Sequence, residues 1–264
     1  MSLNKTKILG IGVTTDSKKI ILEYIQKYLI QTGKNPLKPC ILATPNPEQL
    51  VLAQRDPRFA EILNRADVAL PDGIGLAMAA GIPRYPGVEC MEDLVCLAAA
   101  RGYRIGLIGG RSGLAVKTLE CLQTKYPGLK GWAEDGPEIE IRNQGIRIRN
   151  QGGDDAYFRT IVDKIVKTQT KIVFVGLGAP KQEYVIARLA RQFQISNFKF
   201  QIVMMSVGGS FDFIAGRLKR APLLIRSIGF EWLWRLAAEP WRWRRQLALI
   251  EFTLLVLKQR ILRR

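Results

Sequence analysis

The sequence has 264 residues and no histidine. A Ser-His-Asp hydrolase is excluded, as is any Cys-His pair or His-bound zinc, so a general base has to be a carboxylate, lysine, tyrosine or thiolate. Cysteine is sparse: Cys40, Cys90, Cys96 and Cys121 show no CxxC spacing and read as reduced core thiols. There is no Asp-x-Asp pair to present a metal to a diphosphate, and no full GxGxxG or Walker A loop. Long apolar runs are missing as well. The stretch 247–257 is interrupted by Glu251 and falls short of the roughly 20 residues needed to cross a bilayer. At the N-terminus, MSLNKTK leads into only a short apolar run (8–13) before Thr14, Thr15 and Asp16, which does not resemble a signal peptide. The expected location is the cytoplasm, peripheral on the inner face of the plasma membrane.

Acidic residues are few, 23 against 40 Lys and Arg, for a net charge of +17. Such an excess points to an anionic partner: nucleic acid, anionic lipid or a phosphate-bearing substrate. Residues 217–264 hold twelve Lys/Arg and three Glu, so +9 of the +17 sits there. Four of the five tryptophans, Trp232, Trp234, Trp241 and Trp243, lie among those arginines. That mixture, ending in an amphipathic helix, suits an anionic membrane surface better than nucleic acid.

With 47% hydrophobic residues the chain can bury a large core. Runs at 7–13, 39–44, 66–70, 103–109, 129–133, 171–177 and 200–207 read as strands. Segments 17–31, 47–64, 89–100, 113–126, 154–167 and 180–192 carry helical spacing. The alternation predicts an α/β fold: a Rossmann-like three-layer domain with a mostly parallel sheet over 1–216, and a basic, Trp-rich helical appendage over 217–264 that associates with membrane. The near-repeat IRNQG-IRIRNQGG within 139–153 reads as a surface loop or insertion with no assigned role.

In such sheets ligands bind beyond the carboxyl ends of the strands. Thr44 and Asn46 end one predicted strand and Asp72 the next, bringing a hydroxyl, an amide and a carboxylate to one crevice. The alternative for Asp72-Gly73 is a turn in which the aspartate caps a helix. Gly106, Gly109, Gly110 and Gly113 surround another strand end, and Gly176 and Gly178, followed by Gln182, a third. These glycines either admit a diphosphate to backbone N–H groups or serve close strand-helix packing. A nicotinamide-dependent oxidoreductase would use the same sheet, but no acidic residue completes a dinucleotide fingerprint.

Together these segments resemble the WecG/TagA/CpsF family of bacterial glycosyltransferases. The matching pieces are TPNPEQL (44–50), LPDGIGL (70–76), VGLGAPKQE (175–183), VGGSFDFIAG (207–216), RAP (220–222) and EWLWRLAAEPWRWRR (231–245). The resemblance implies an inverting, metal-independent transfer needing no cofactor, in the best-known members of N-acetylmannosamine from a UDP donor to the 4-hydroxyl of polyprenyl-diphosphate-linked N-acetylglucosamine. By position it makes Asp72 the catalytic base. It places Thr44, Asn46, Gly73, Gly109, Gly178 and Asp212 around the substrates and makes Gln182 a donor contact. Arg220, Arg226, Arg235, Arg242 and Arg245 become candidates for the phosphates, on an appendage that closes over the site at the membrane. Where the family often has Arg-Val-x-Gly-x-Asp, this chain has Arg84-Tyr85-Pro86-Gly87-Val88-Glu89, so Glu89 stands in the aspartate's place. The sequence leaves the oligomeric state open.

Overall fold

The computed structural model describes residues 2–31, 38–142, 145–149, 153–195, 200–227, 229–240 and 243–262. Its strands are β1 (Lys5–Ile8), β2 (Ile11–Thr14), β3 (Cys40–Ala43), β4 (Val68–Ala69), β5 (Arg104–Gly109), β6 (Lys130–Glu134), β7 (Ile139–Arg142), β8 (Gly145–Ile148), β9 (Thr170–Gly176) and β10 (Val203–Ser206). The helices are α1 (Lys18–Ile30), α2 (Pro47–Arg55), α3 (Pro57–Asn64), α4 (Ile74–Ala80), α5 (Gly87–Arg101), α6 (Leu114–Lys125), α7 (Gly153–Thr168) and α8 (Lys181–Ile195). Four more follow: α9 (Ser210–Ile214), α10 (Leu223–Ser227), α11 (Glu231–Ala238) and α12 (Trp243–Leu262).

Six strands form a parallel sheet in the order β4-β3-β10-β9-β5-β6. Its central strands are nearly continuous apolar runs because both faces are covered. Ile172, Phe174, Val203 and Met205 point into a core shared with α1, α5 and α6. Their neighbours Val173, Val175 and Met204 point the other way, against α7 and α8. This period of two produces the three layers.

The structure departs from the expected elements in five places. Residues 7–13 are not one sheet strand: β1 and β2 form an antiparallel hairpin outside the large sheet, turning at Leu9 and Gly10, both with positive φ. Helical segment 47–64 breaks at Asp56, whose side chain accepts from Phe59 N at 3.0 Å, with Pro57 as the first residue of α3. Helices α4 and α9 lie outside the expected helical segments, α4 being the helix that the capping alternative at 72–73 implies. Segment 139–153 is no plain surface loop, because β7 and β8 pair as an antiparallel hairpin whose Ile139 and Ile148 are buried. Asp154 Oδ1 fixes its base by accepting from Ile148 N at 2.6 Å.

Beyond residue 216 the chain forms α10, α11 and α12. Helix α12 packs along α2 and α4. Phe252 is buried at this contact, Arg55 bonds Glu251 at 2.6 Å, and Gln259 accepts from Leu9 N at 3.1 Å. On the opposite side Trp243, Leu247, Ile250, Leu254, Leu257 and Ile261 are exposed, recurring every three or four residues as one stripe. Among the described residues no helix is long and apolar enough to cross a membrane.

Candidate active site

Helix α6, after β5, covers one face of the sheet, and α8, after β9, covers the other. The loops leaving these strands therefore part and open a cleft over the carboxyl ends. Its volume, about 610 Å³, suits a small-molecule substrate. Thr44, Asn46, Asp72, Gly73, Gly178, Gln182, Asp212 and Arg235 all line it, so eight of the expected residues come together.

Local bonds explain the convergence. Thr44 Oγ1 donates to Ser206 O at 3.2 Å, tying the end of β3 to β10. Asn46 Oδ1 accepts from Gln49 N at 3.0 Å and caps α2. The N–H of Asp72 donates to Pro45 O at 3.1 Å, holding residue 72 beside 44–46. The helix cap at this turn is Gly73, with φ 96°, and not Asp72. The Asp72 carboxyl is thereby left facing Gly87, in the first turn of α5, where a Cβ would stand 3.7 Å from Oδ2. Position 87 has no room for more than glycine, since a Cβ there would lie 2.9 Å from Thr44 Cγ2.

Burial at the cleft floor pushes the Asp72 carboxyl up to about 6, against the opposing pull of Arg84, the Gly87 N–H and Arg235; Glu231 adds to the rise. A carboxylate titrating near neutrality is a competent proton acceptor. Arg84 bonds Glu231 at 2.5 Å, and Arg220 bridges Glu231 at 3.3 Å and Glu89 at 2.8 Å. Arg226 lies 4.0 Å from Glu89. Burial raises Glu231, but Arg84 and Arg220 outweigh it and hold the carboxyl below its ordinary range. Arg84 Nε and Arg226 Nε are buried donors with no hydrogen-bond partner. The guanidinium of Arg235 sits against Gly209, 5.0 Å from the Phe213 ring centroid, and bonds Glu239 at 2.9 Å.

Gln182 Oε1 accepts from Gly208 N at 2.9 Å, and its Nε2 donates to Glu183 Oε1 at 2.8 Å. Glu183 is 3% exposed, and burial pushes its carboxyl up to about 7.

Three expected contacts are placed differently. Gly109 does not line the cleft; it lets the ends of β5 and β9 approach, because a Cβ there would collide with the Gly176 carbonyl, and Gly110 takes the lining position. Arg220 and Arg226 stand behind the wall, in the ion network. Arg242 and the side chain of Arg245 lie outside the described residues. No cluster of three or more Cys, Asp or Glu able to hold a metal occurs among the described residues.

The family model described as "Glycosyl transferase WecG/TagA/CpsF family" matches residues 6–264. The chain belongs to this family. Among curated proteins, a relative from Bacillus spizizenii (strain W23) is 32% identical over 227 residues, 84% of this chain and 80% of the relative. One from Bacillus subtilis (strain 168) is 29% identical over 247 residues, 90% of this chain and 85% of the relative. One from Staphylococcus aureus (strain NCTC 8325) is 27% identical over 237 residues, 88% and 84% respectively. All three are named N-acetylglucosaminyldiphosphoundecaprenol N-acetyl-beta-D-mannosaminyltransferase.

In this glycosyltransferase the residues that sequence reasoning passed over are Arg84, Gly87, Glu183 and Glu231. Each lay inside or beside a segment already singled out. Their signal was the chemistry of those segments: an arginine before the Pro86-Gly87 helix start, and acids closing VGLGAPKQE and opening EWLWR.

Proposed function

We propose that the enzyme transfers N-acetylmannosamine, or a closely related sugar, from a UDP donor to N-acetylglucosamine carried on a polyprenyl diphosphate. The observation that carries this reading is Asp72 on the cleft floor, poised near neutrality, with Arg84 and Arg235 on the same cleft. The 4-hydroxyl oxygen of the acceptor attacks the anomeric carbon from the face opposite UDP. Asp72 takes the hydroxyl proton, and the bond from that carbon to the diphosphate oxygen breaks, its electron pair leaving with UDP. Configuration inverts because attack and departure occur on opposite faces.

The leaving diphosphate meets guanidinium groups instead of a metal ion in this scheme. Glu231 holds Arg84 on the cleft wall ahead of the anion, and Arg220, braced by Glu231 and Glu89, backs it from behind, so little ordering remains when the anion arrives. The buried, unpartnered Nε atom of Arg84 is the spare donor on the cleft. The exposed stripe of α12 lies against the membrane that carries the acceptor, aided by the tail's positive charge.

The test is incubation of purified enzyme with a panel of UDP-sugars and a short-chain lipid-diphosphate acceptor in the presence of a chelator, with products identified by mass. Transfer of N-acetylmannosamine is expected. A strict requirement for added manganese would overturn the guanidinium account, and absence of transfer from any UDP-sugar would overturn the substrate assignment.

A further inference from the structure

A second and larger cavity, about 1010 Å³, lies on the face of the sheet covered by α3 and α8. The β7–β8 hairpin, which lines no part of the transfer cleft, supplies Arg142, Gly145, Ile146 and Arg147 to its wall. Seven Lys/Arg line it against three acids, Glu61, Asp154 and Glu183. Arg65, Arg142 and Arg188 pair with Glu61, Glu140 and Asp155. Arg58, Arg147 and Arg191 have no ion-pair partner among the described residues. Arg58 packs against the hairpin turn at Gly145 and over the Tyr184 ring, 5.8 Å from its centroid.

Beneath this cationic rim the walls turn apolar, with Leu42, Ile62, Ile146, Phe158 and Ile186. A positive rim and apolar walls together match a ligand that has a greasy or aromatic body and an anionic head.

We propose that this rear cavity is a second binding site, for an organic diphosphate, with its body against Ile146 and Phe158 and its phosphates on Arg58, Arg147 and Arg191. The site is separate from the transfer cleft; the two share no lining residue and meet at the bonds of Gln182 and Gln49 to Glu183 and of Thr44 to Ser206, the first-named residues lining the cleft and the second the rear cavity. The inference does not rest on the identity of the sugar donor.

Hydrogen-exchange mass spectrometry on the unmodified enzyme locates the site directly, using ADP, geranyl diphosphate and inorganic pyrophosphate at constant ionic strength. ADP or geranyl diphosphate is expected to slow exchange at residues 57–65 and 139–149, and whichever binds more tightly identifies a nucleotide or a lipid as the source. Substituting Arg58→Ala, Arg147→Ala and Arg191→Ala together removes three charge-assisted contacts, and should weaken this protection at least about tenfold while leaving that at 72–89 unchanged. No protection of the hairpin and α3 by any of the three probes would overturn the proposal. So would equal protection in the triple variant, and pyrophosphate binding as tightly as the organic diphosphates would overturn the role of the apolar wall.

Discussion

The Asp72 carboxyl lies against Gly87 in the first turn of α5, where a Cβ would stand 3.7 Å from its Oδ2, and the Gly87 N–H draws it toward the charged state. Two constraints meet there: the N–H pulls the carboxyl toward the charged state, and burial pushes it the other way and wins.

The first prediction follows from that balance. The folded carboxyl titrates at about 6, against the ordinary 3.8. Between these values the folded state binds the extra proton, so stability falls as pH rises through the window and the cost is complete above about 6. Asp72→Asn removes the cost. We expect turnover to fall by about 10³-fold or more, while stability at pH 8 rises by an amount on the order of 3 kcal/mol. The stability gain should vanish near pH 3.5. Calorimetry across pH beside a rate assay checks both halves, and full activity in the variant would remove Asp72 from the mechanism.

Gly87→Ala tests the aiming device. The added methyl would meet Thr44 and push the N–H away from the carboxyl. The expected result is a tenfold or greater loss of kcat, with the acid limb of the pH-rate profile moved upward because one stabiliser of the carboxylate has gone. An unchanged limb would show that the Gly87 N–H has no part in setting the proton affinity.

Glu231 holds two guanidinium groups, so Glu231→Gln leaves Arg84 and Arg220 short of a counter-charge in a half-buried layer. We expect destabilisation of roughly 2–4 kcal/mol at pH 7, toward the lower end because the layer is not fully buried. Its folded carboxyl is held below 4.5, so this contribution is full above 4.5 and is lost as pH falls through the lower, folded value. Denaturant titrations at pH 7 and pH 3 should show a large difference between variant and parent at the first and a small one at the second.

The stripe on α12 gives a fourth expectation. Ile250, Leu254 and Leu257 are each at least half exposed, so changing all three to serine should leave the thermal midpoint nearly unchanged. Sedimentation with anionic vesicles should fall by a hundredfold or more, from the apolar area withdrawn from lipid contact. Retained vesicle binding would place the membrane contact elsewhere.

Much of this was legible from residues. Six of the seven expected strands form the sheet because runs such as Thr170–Gly176 are apolar on both faces, a pattern that only a doubly covered parallel sheet satisfies. The seventh was misread because Leu9-Gly10 is not the Asn-Gly or Asp-Gly that announces a tight hairpin turn. The hairpin at 139–148 did carry a period of two, in Ile139-Glu-Ile-Arg and again in Ile146-Arg-Ile-Arg, but its polar, glycine-bearing repeat hid the alternation.

The site divided the same way. Thr44, Asn46 and Asp72 could be placed because each ends a strand, and parallel strands deliver their ends to one edge. The Arg84–Glu231 pair could not, because its partners are 147 residues apart and meet only once α11 has docked. That Gly110 and not Gly109 lines the cleft is illegible for a related reason: which of two adjacent glycines faces the opening depends on how closely β9 approaches β5.

Helix α12 turns Phe252, and with it Leu249 and Thr253, toward the transfer cleft, and turns Ile250 and Leu254 away from it. With the outer stripe laid on a membrane as proposed above, only the thickness of one helix, about 10 Å, would separate the cleft from the lipid. A sugar tethered to a long isoprenoid would then be glycosylated without its tail being extracted, the helix serving as a thin partition between two solvents.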